Sequence, residues 1–151
     1  MAHSLDLRVR PAVRGDREFL FEVRRAALRT YVEQTSGWDD GEQRGIAERE
    51  FGELPYAVVE ESGRPVGYVC VIHEGAVDVI EEIALLPDVQ GRGIGTRLLR
   101  DVLDSARQRG VPVRLSVFTS NPAQALYARL GFTVLRIEEP RMAMEWQAAT
   151  R

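Results

Sequence analysis

Between Val77 and Ala106 the chain changes its hydrophobic period, and the change falls on three glycines at alternate positions, Gly91, Gly93 and Gly95. Val77 to Leu86 is short, apolar and β-branched, which reads as a strand. After Pro87 the apolar residues Ile94, Leu98, Leu99, Val102, Leu103 and Ala106 fall on one helical stripe, and Gly110 stops it. A strand that passes through a glycine loop into an amphipathic helix commits the chain to an α/β fold.

The remaining pattern extends that unit in both directions. Arg8-Val9-Arg10 alternates like a strand, and Gly15-Asp16 precedes Phe19, Leu20, Val23, Ala27 and Tyr31 at helical spacing, with Asp16 as the expected N-cap. Gln34 to Gly52 is polar and irregular, a loop with room for a second short helix. Tyr56-Ala57-Val58-Val59-Glu60 and Pro65 to Ile72 flank a turn at Glu61-Ser62-Gly63-Arg64, a hairpin. Val113 to Phe118 reads as a strand, and Asn121-Pro122 sets an N-cap and first turn for a short helix through Ala125, Leu126 and Leu130 that Gly131 closes. Phe132 to Ile137 and Met142 to Trp146 supply two last strands. The order predicts one domain over residues 1–151: a mixed, mainly antiparallel sheet of six to seven strands flanked by helices, without internal repeats.

The loop Leu86-Pro87-Asp88-Val89-Gln90-Gly91-Arg92-Gly93-Ile94-Gly95-Thr96 has the chemistry of an anion site. Glycines let backbone N–H groups approach an anion closely, and a helix N-terminus adds roughly half a positive elementary charge. A pyrophosphate is the natural ligand. A dinucleotide loop, G-x-G-x-x-G, would need glycine where Thr96 stands. A triphosphate loop needs lysine, and all 20 cationic residues are arginine. The lack of lysine also excludes Schiff-base chemistry.

Charge and cysteine narrow the classes further. The formal charge is −3, with arginines scattered among acids, which argues against a nucleic-acid surface and suits a cationic substrate. No apolar run is long enough for a membrane span, and Met1 to Arg10 lacks a signal-peptide core, so a cytoplasmic protein is expected. Cys70, the lone cysteine, reads as a small core residue, and His3 and His73 as surface residues with no metal-ligand spacing around them.

Gln90-Gly91-Arg92-Gly93-Ile94-Gly95 resembles the Q/R-x-x-G-x-G/A signature of the GNAT superfamily of N-acetyltransferases. The likeness continues through Ile83-Ala84-Leu85 and through Asn121-Pro122-Ala123-Gln124-Ala125-Leu126-Tyr127, and it spans about Pro55 to Leu135. It implies the acyl-coenzyme A N-acyltransferase fold and acetyl-coenzyme A as cosubstrate. Gln90 through Thr96 would hold the diphosphate, Ile83, Ala84 and Leu85 would pair their amides with the pantetheine arm, and Asn121, Ala125 and Tyr127 would complete the cofactor contacts.

Acetyl transfer to an amine needs a deprotonated amine, a stabilised oxyanion and a proton for the leaving thiolate. The resemblance gives Tyr127 the last role, and a phenol with a reference pKa of about 10 keeps its proton at neutral pH. Glu81 shares strand parity with Ile83 and Leu85, the side on which the resemblance implies a base or an ordered water relay, so it is the candidate base, acting through water, with Glu82 on the opposite side as the fallback. The glutamate that some relatives carry on the following strand is Ser116 here. A backbone N–H near Leu85 is the expected oxyanion donor.

Tyr31-Val32-Glu33-Gln34-Thr35-Ser36-Gly37-Trp38-Asp39 resembles a Y-V-E-Q-x-x-G-W-[DE] segment of a bacterial GNAT subgroup, in the region that flanks the acceptor pocket. Trp38 beside Glu33, Asp39 or Asp40 suits a cation by ring-face contact and charge, so Tyr31, Glu33 and Trp38 are the candidate acceptor residues. Pro140-Arg141-Met142 departs from the subgroup, where a histidine is expected. The resemblance implies a primary amine of a small molecule or peptide as the acceptor; a homodimer is left open. The competing reading is a non-catalytic module that senses acyl-coenzyme A or binds a partner, motivated by Ser116.

Overall fold

The structure is a computed structural model and describes residues 5–149, so His3 lies outside it. Seven strands form one mixed sheet in the order β1-β2-β3-β4-β5-β7-β6. They are β1 (Leu7–Pro11), β2 (Tyr56–Glu61), β3 (Arg64–His73), β4 (Asp78–Leu85), β5 (Val113–Phe118), β6 (Thr133–Glu138) and β7 (Arg141–Trp146). The helices are α1 (Arg17–Thr35), α2 (Asp40–Glu53), α3 (Ile94–Arg109) and α4 (Gln124–Arg129). The chain order of strands and helices is the one the sequence predicts. None of the described helices is long and apolar enough to cross a membrane.

The chain divides into two compact units, one formed up to Cys70 together with Glu82–Gly95, the other by Val71–Glu81 together with Thr96 onward. In the first, α1 buries Leu20, Phe21, Val23 and Arg24, and α2 buries Ala47 and Phe51. Tyr56, Val58 and Val59 of β2 and Val66, Tyr68 and Cys70 of β3 are buried in the same unit. Ser62 and Gly63 both have positive φ, the mirror-image turn whose twist matches its flanking strands, so the β2–β3 hairpin closes with Glu61 opposite Arg64.

In the second unit α3 buries Leu98, Leu99, Leu103 and Ala106, the expected stripe, while Val102 is half-buried. Its last turn carries Arg107 and Arg109, which complement the negative end of the helix dipole. β5 pairs parallel with β4 from Asp78↔Val113 to Ile80↔Leu115, so Glu81–Leu85 lies beyond that ladder. β7 pairs antiparallel with both β5 and β6. Fully buried Asp78 accepts hydrogen bonds from Arg109 and meets the His73 ring at 2.8 Å, so exposed His73 has a polar partner beneath it.

Three local expectations need correction. α2 is a helix of 14 residues, longer than the short helix expected between Gln34 and Gly52. Asp39 caps it by accepting from the Glu42 amide at 2.8 Å, which offsets the low helix propensity of Gly41, Gly45 and Gly52. Asp16 stands at the N-cap position of α1 but its carboxylate does not cap that helix; it accepts from the Val13 amide at 2.7 Å and from Arg10 at 2.8 and 3.0 Å. Asn121 caps a turn instead of α4: its side chain accepts from the Ala123 amide, and the helix starts at Gln124.

Candidate functional site

The loop between β4 and α3 is built from local rules. Pro87–Val89 forms one tight turn, and the Gln90 side chain donates from Nε2 to the Leu85 carbonyl at 3.0 Å, closing the loop over the strand end. Gly91 and Gly93 have φ of 77° and 85°, a conformation that costs other residues roughly 1–2 kcal/mol. A Cβ built on either would meet nothing within 4 Å, so it is the backbone path, not packing, that calls for glycine. Gly95 has ordinary helical geometry, its would-be Cβ 3.8 Å from Leu85.

The loop ends at the N-terminus of α3, whose first four amides, from Ile94 to Arg97, have no partner within the helix. No acid occupies that first turn. Such a terminus favours an anion through its amides and its dipole together, so the residues present fit a diphosphate. The Arg92 guanidinium faces elsewhere: it makes a two-pronged pair with Glu61 at 2.8 and 2.9 Å. Arg92 therefore offers a ligand its backbone, while its side chain ties the loop to the β2–β3 hairpin.

Upstream, Ala84 is buried and Ile83 and Leu85 are half-buried in β4. Gly67 of β3 is what lets that backbone lie where it does. A Cβ on Gly67 would sit 2.2 Å from the Ala84 carbonyl oxygen and 3.0 Å from the Leu85 Cα, and beside it the Leu86 amide donates to the Val66 carbonyl at 2.9 Å. Sequence reasoning passed over Gly67; its one signal is an isolated glycine inside a strand pattern, which marks a close backbone approach.

The two adjacent glutamates of β4 have opposite environments, as their parity requires. Glu81 is exposed. Glu82 is held from several sides: Arg24 donates to its two oxygens at 2.5 and 3.3 Å, the Tyr56 phenol donates at 2.7 Å, and the Tyr68 phenol donates to the second oxygen. Glu50 adds a second carboxylate 3.5 Å from Arg24, and Phe51 lies under the guanidinium at 4.5 Å. Burial pushes both phenols well above their ordinary pKa, with the Glu82 charge acting in the same direction. With its oxygens committed to these donors, Glu82 anchors α1 to β4.

In the second unit Tyr127 is buried on α4 with its ring edge-on to Phe132, centroids 5.8 Å apart. Burial pushes its phenol up to about 12, so it keeps its proton throughout the neutral range. Asn121 is half-buried and Ala125 exposed, and the Gln124 side chain donates to the Thr119 and Asn121 carbonyls, fixing the turn before α4.

The α1–α2 segment already satisfies its own charges. Glu33 accepts from Arg29 at 2.6 Å, and the same guanidinium stands 6.0 Å from the Trp38 ring centroid. Trp38 donates to Asp40 at 3.3 Å, Arg25 pairs with Asp40 at 3.2 Å, and Asp39 is the α2 cap. Half-buried Tyr31 lies on the last turns of α1. The structure thus gathers an aromatic ring, acids and two cations here, the chain's own Arg25 and Arg29, of which Arg29 stands by the Trp38 ring.

Comparison with known proteins agrees with this architecture. An uncharacterised N-acetyltransferase of Methanocaldococcus jannaschii is 37% identical over 100 residues, covering 60% of this chain and 42% of its own. N-alpha-acetyltransferase RimI of Mycobacterium tuberculosis is 43% identical over 82 residues, 51% of each chain. The chain thus spans about half the length of these relatives. Among solved structures, the PaiA N-acetyltransferase of Thermoplasma acidophilum in complex with coenzyme A matches with a TM-score of 0.75 at 16% identity, over 94% of this chain and 99% of its own, a likeness of fold. The sequence profile of the acetyltransferase (GNAT) family matches residues 18–132, through the glycine loop, β4 and α4, and the chain belongs to that family.

Proposed function

We propose that the chain is a cytoplasmic N-acetyltransferase that moves the acetyl group of acetyl-coenzyme A to a primary amine by direct attack in a ternary complex. The observation that carries the reading is the loop: two glycines at φ 77° and 85° leading into a helix with no acid in its first turn. Membership of the family and relatives named as N-acetyltransferases support it.

In this reading the amides from Gly91 to Thr96 bind the diphosphate, Gln90 holds the loop closed, and the backbone of Ile83, Ala84 and Leu85 takes the pantetheine arm with Asn121 and Ala125. The carrier supplies the acetyl group as an activated thioester. Tyr127 donates its phenolic proton to the departing sulfur, and its buried, neutral phenol keeps that proton at neutral pH until the transfer. Exposed Glu81 accepts the amine's proton through water, and the Leu85 amide donates to the oxyanion.

The acceptor amine takes the place of Arg29 against Trp38, beside Glu33 and Tyr31. A relative named N-alpha-acetyltransferase favours a peptide terminus as that amine over a small molecule. The test is release of coenzyme A thiol from acetyl-coenzyme A against a panel of peptides and small amines. Turnover with an acceptor supports the reading; coenzyme A binding with no turnover on any amine would support the non-catalytic module instead.

A further inference from the structure

β6 ends the sheet order, and all of its residues are exposed. Val134, Leu135 and Ile137 are 50%, 46% and 58% exposed, three of the five exposed large hydrophobics among the described residues. An edge strand with open backbone groups and apolar side chains is a template for another strand, which natural chains usually blunt with like charges, proline or a bulge. β6 has a bulge between Val134 and Arg136, which leaves Arg136–Glu138 as its regular stretch opposite Ala143, Met142 and Arg141. Its charges are not of one sign: Arg136 and Glu138 project from one face and pair at 3.1 Å.

We propose that this edge docks a second copy of the chain by antiparallel pairing of β6 with β6, centred on Ile137. Twofold symmetry sets one residue opposite itself. With Ile137 in that place, Arg136 of each copy faces Glu138 of the other, and the pair within one strand becomes a network of four charges. Ile137 meets its own copy on the other face. Centring on Arg136 would oppose two guanidiniums, centring on Glu138 two carboxylates, and centring on Leu135 falls on the bulge. Ile137 is also the middle of the regular stretch, so the register that satisfies the charges is the one the backbone allows.

Sedimentation velocity of the full chain over a wide concentration range reads the monomer–dimer equilibrium. The expected result is a dimer that Ile137→Lys abolishes and that Arg136→Glu or Glu138→Arg each weaken about tenfold, because two cross-strand pairs become repulsive. The double variant Arg136→Glu with Glu138→Arg reverses both charges and restores it. A chain that stays monomeric throughout, or a dimer that none of these changes disturbs, overturns the proposal. Far-UV circular dichroism checks that the exposed substitutions leave the fold intact. Independently, Ile137→Cys should give a disulfide-linked dimer with diamide and Arg136→Cys should not, since its copies stand apart along the strands; linkage through Arg136→Cys alone overturns the register.

Discussion

Arg24 of α1, 5% exposed, closes on Glu82 of β4 with two hydrogen bonds at 2.5 and 3.3 Å. Breaking a buried pair leaves the surviving charge without compensation, at a cost of about 3–5 kcal/mol. Arg24→Met should therefore lower the unfolding free energy by about 3 kcal/mol in urea titration. Combining it with Glu82→Gln should cost less than the sum of the two single changes, because the second removes the charge the first orphaned.

Gly67→Ala puts a methyl group 2.2 Å from the Ala84 carbonyl oxygen, a backbone atom that can move only with β4. About 2–3 kcal/mol of stability should be lost, as for an overpacked core. If the proposed pantetheine contacts are right, coenzyme A affinity should fall in the same variant, read by isothermal titration calorimetry.

Gly93→Ala tests the left-handed backbone of the glycine loop. The added methyl has open space, so its effect comes from φ 85° alone, about 1–2 kcal/mol. The melting temperature should fall by about 2–8 °C, and coenzyme A should bind about tenfold more weakly. Unaltered affinity would remove the loop from the binding site.

Tyr127→Phe removes one hydroxyl from a buried ring that packs on Phe132. Under the proposed mechanism kcat should fall by about 100-fold with KM for acetyl-coenzyme A unchanged. Because the phenol is pushed up to about 12, the wild-type rate should show no loss attributable to Tyr127 between neutrality and mild alkali. A stopped-flow pH profile of both proteins checks this.

Asp78 gives a pH signature unrelated to the proposed chemistry. Its carboxyl is held below the ordinary carboxylate range, first by hydrogen bonding from Arg109 and then by His73, against the opposing effect of burial. A depressed carboxyl stabilises the folded chain at pH above its unfolded value of about 4, and that contribution is lost as the pH falls through its lower folded value. Asp78→Asn should cost about 2 kcal/mol at pH 7 and progressively less in acid, measured by urea unfolding at a series of pH values.

Much of the fold was legible because the hydrophobic period is. The switch at Pro87 places β4, the loop and α3, and Val113 to Phe118 coincides with β5. α2 was less legible because its buried residues, Ala47 and Phe51, leave almost no stripe among acids and glycines. The caps misled for a related reason: Asp16 stands at the N-cap position of α1 and Asn121 just ahead of α4, but nearer donors, Arg10 with Val13 and Ala123, take their oxygens. The parity of Glu82 told which way it points; nothing local told that Arg24 would meet it from a distant helix.

The loop is fastened before any ligand arrives. Gln90 bolts it to Leu85, Arg92 to Glu61, and Asp88 to Arg64 at 3.0 Å, so both flanks of the glycine turn are tethered to the hairpin or strand beneath. The chain has already surrendered the conformational freedom that a slack loop would lose on association. Under the proposed reading, capture of an anion there would be docking onto a finished socket, with an encounter rate governed by diffusion and charge instead of loop rearrangement.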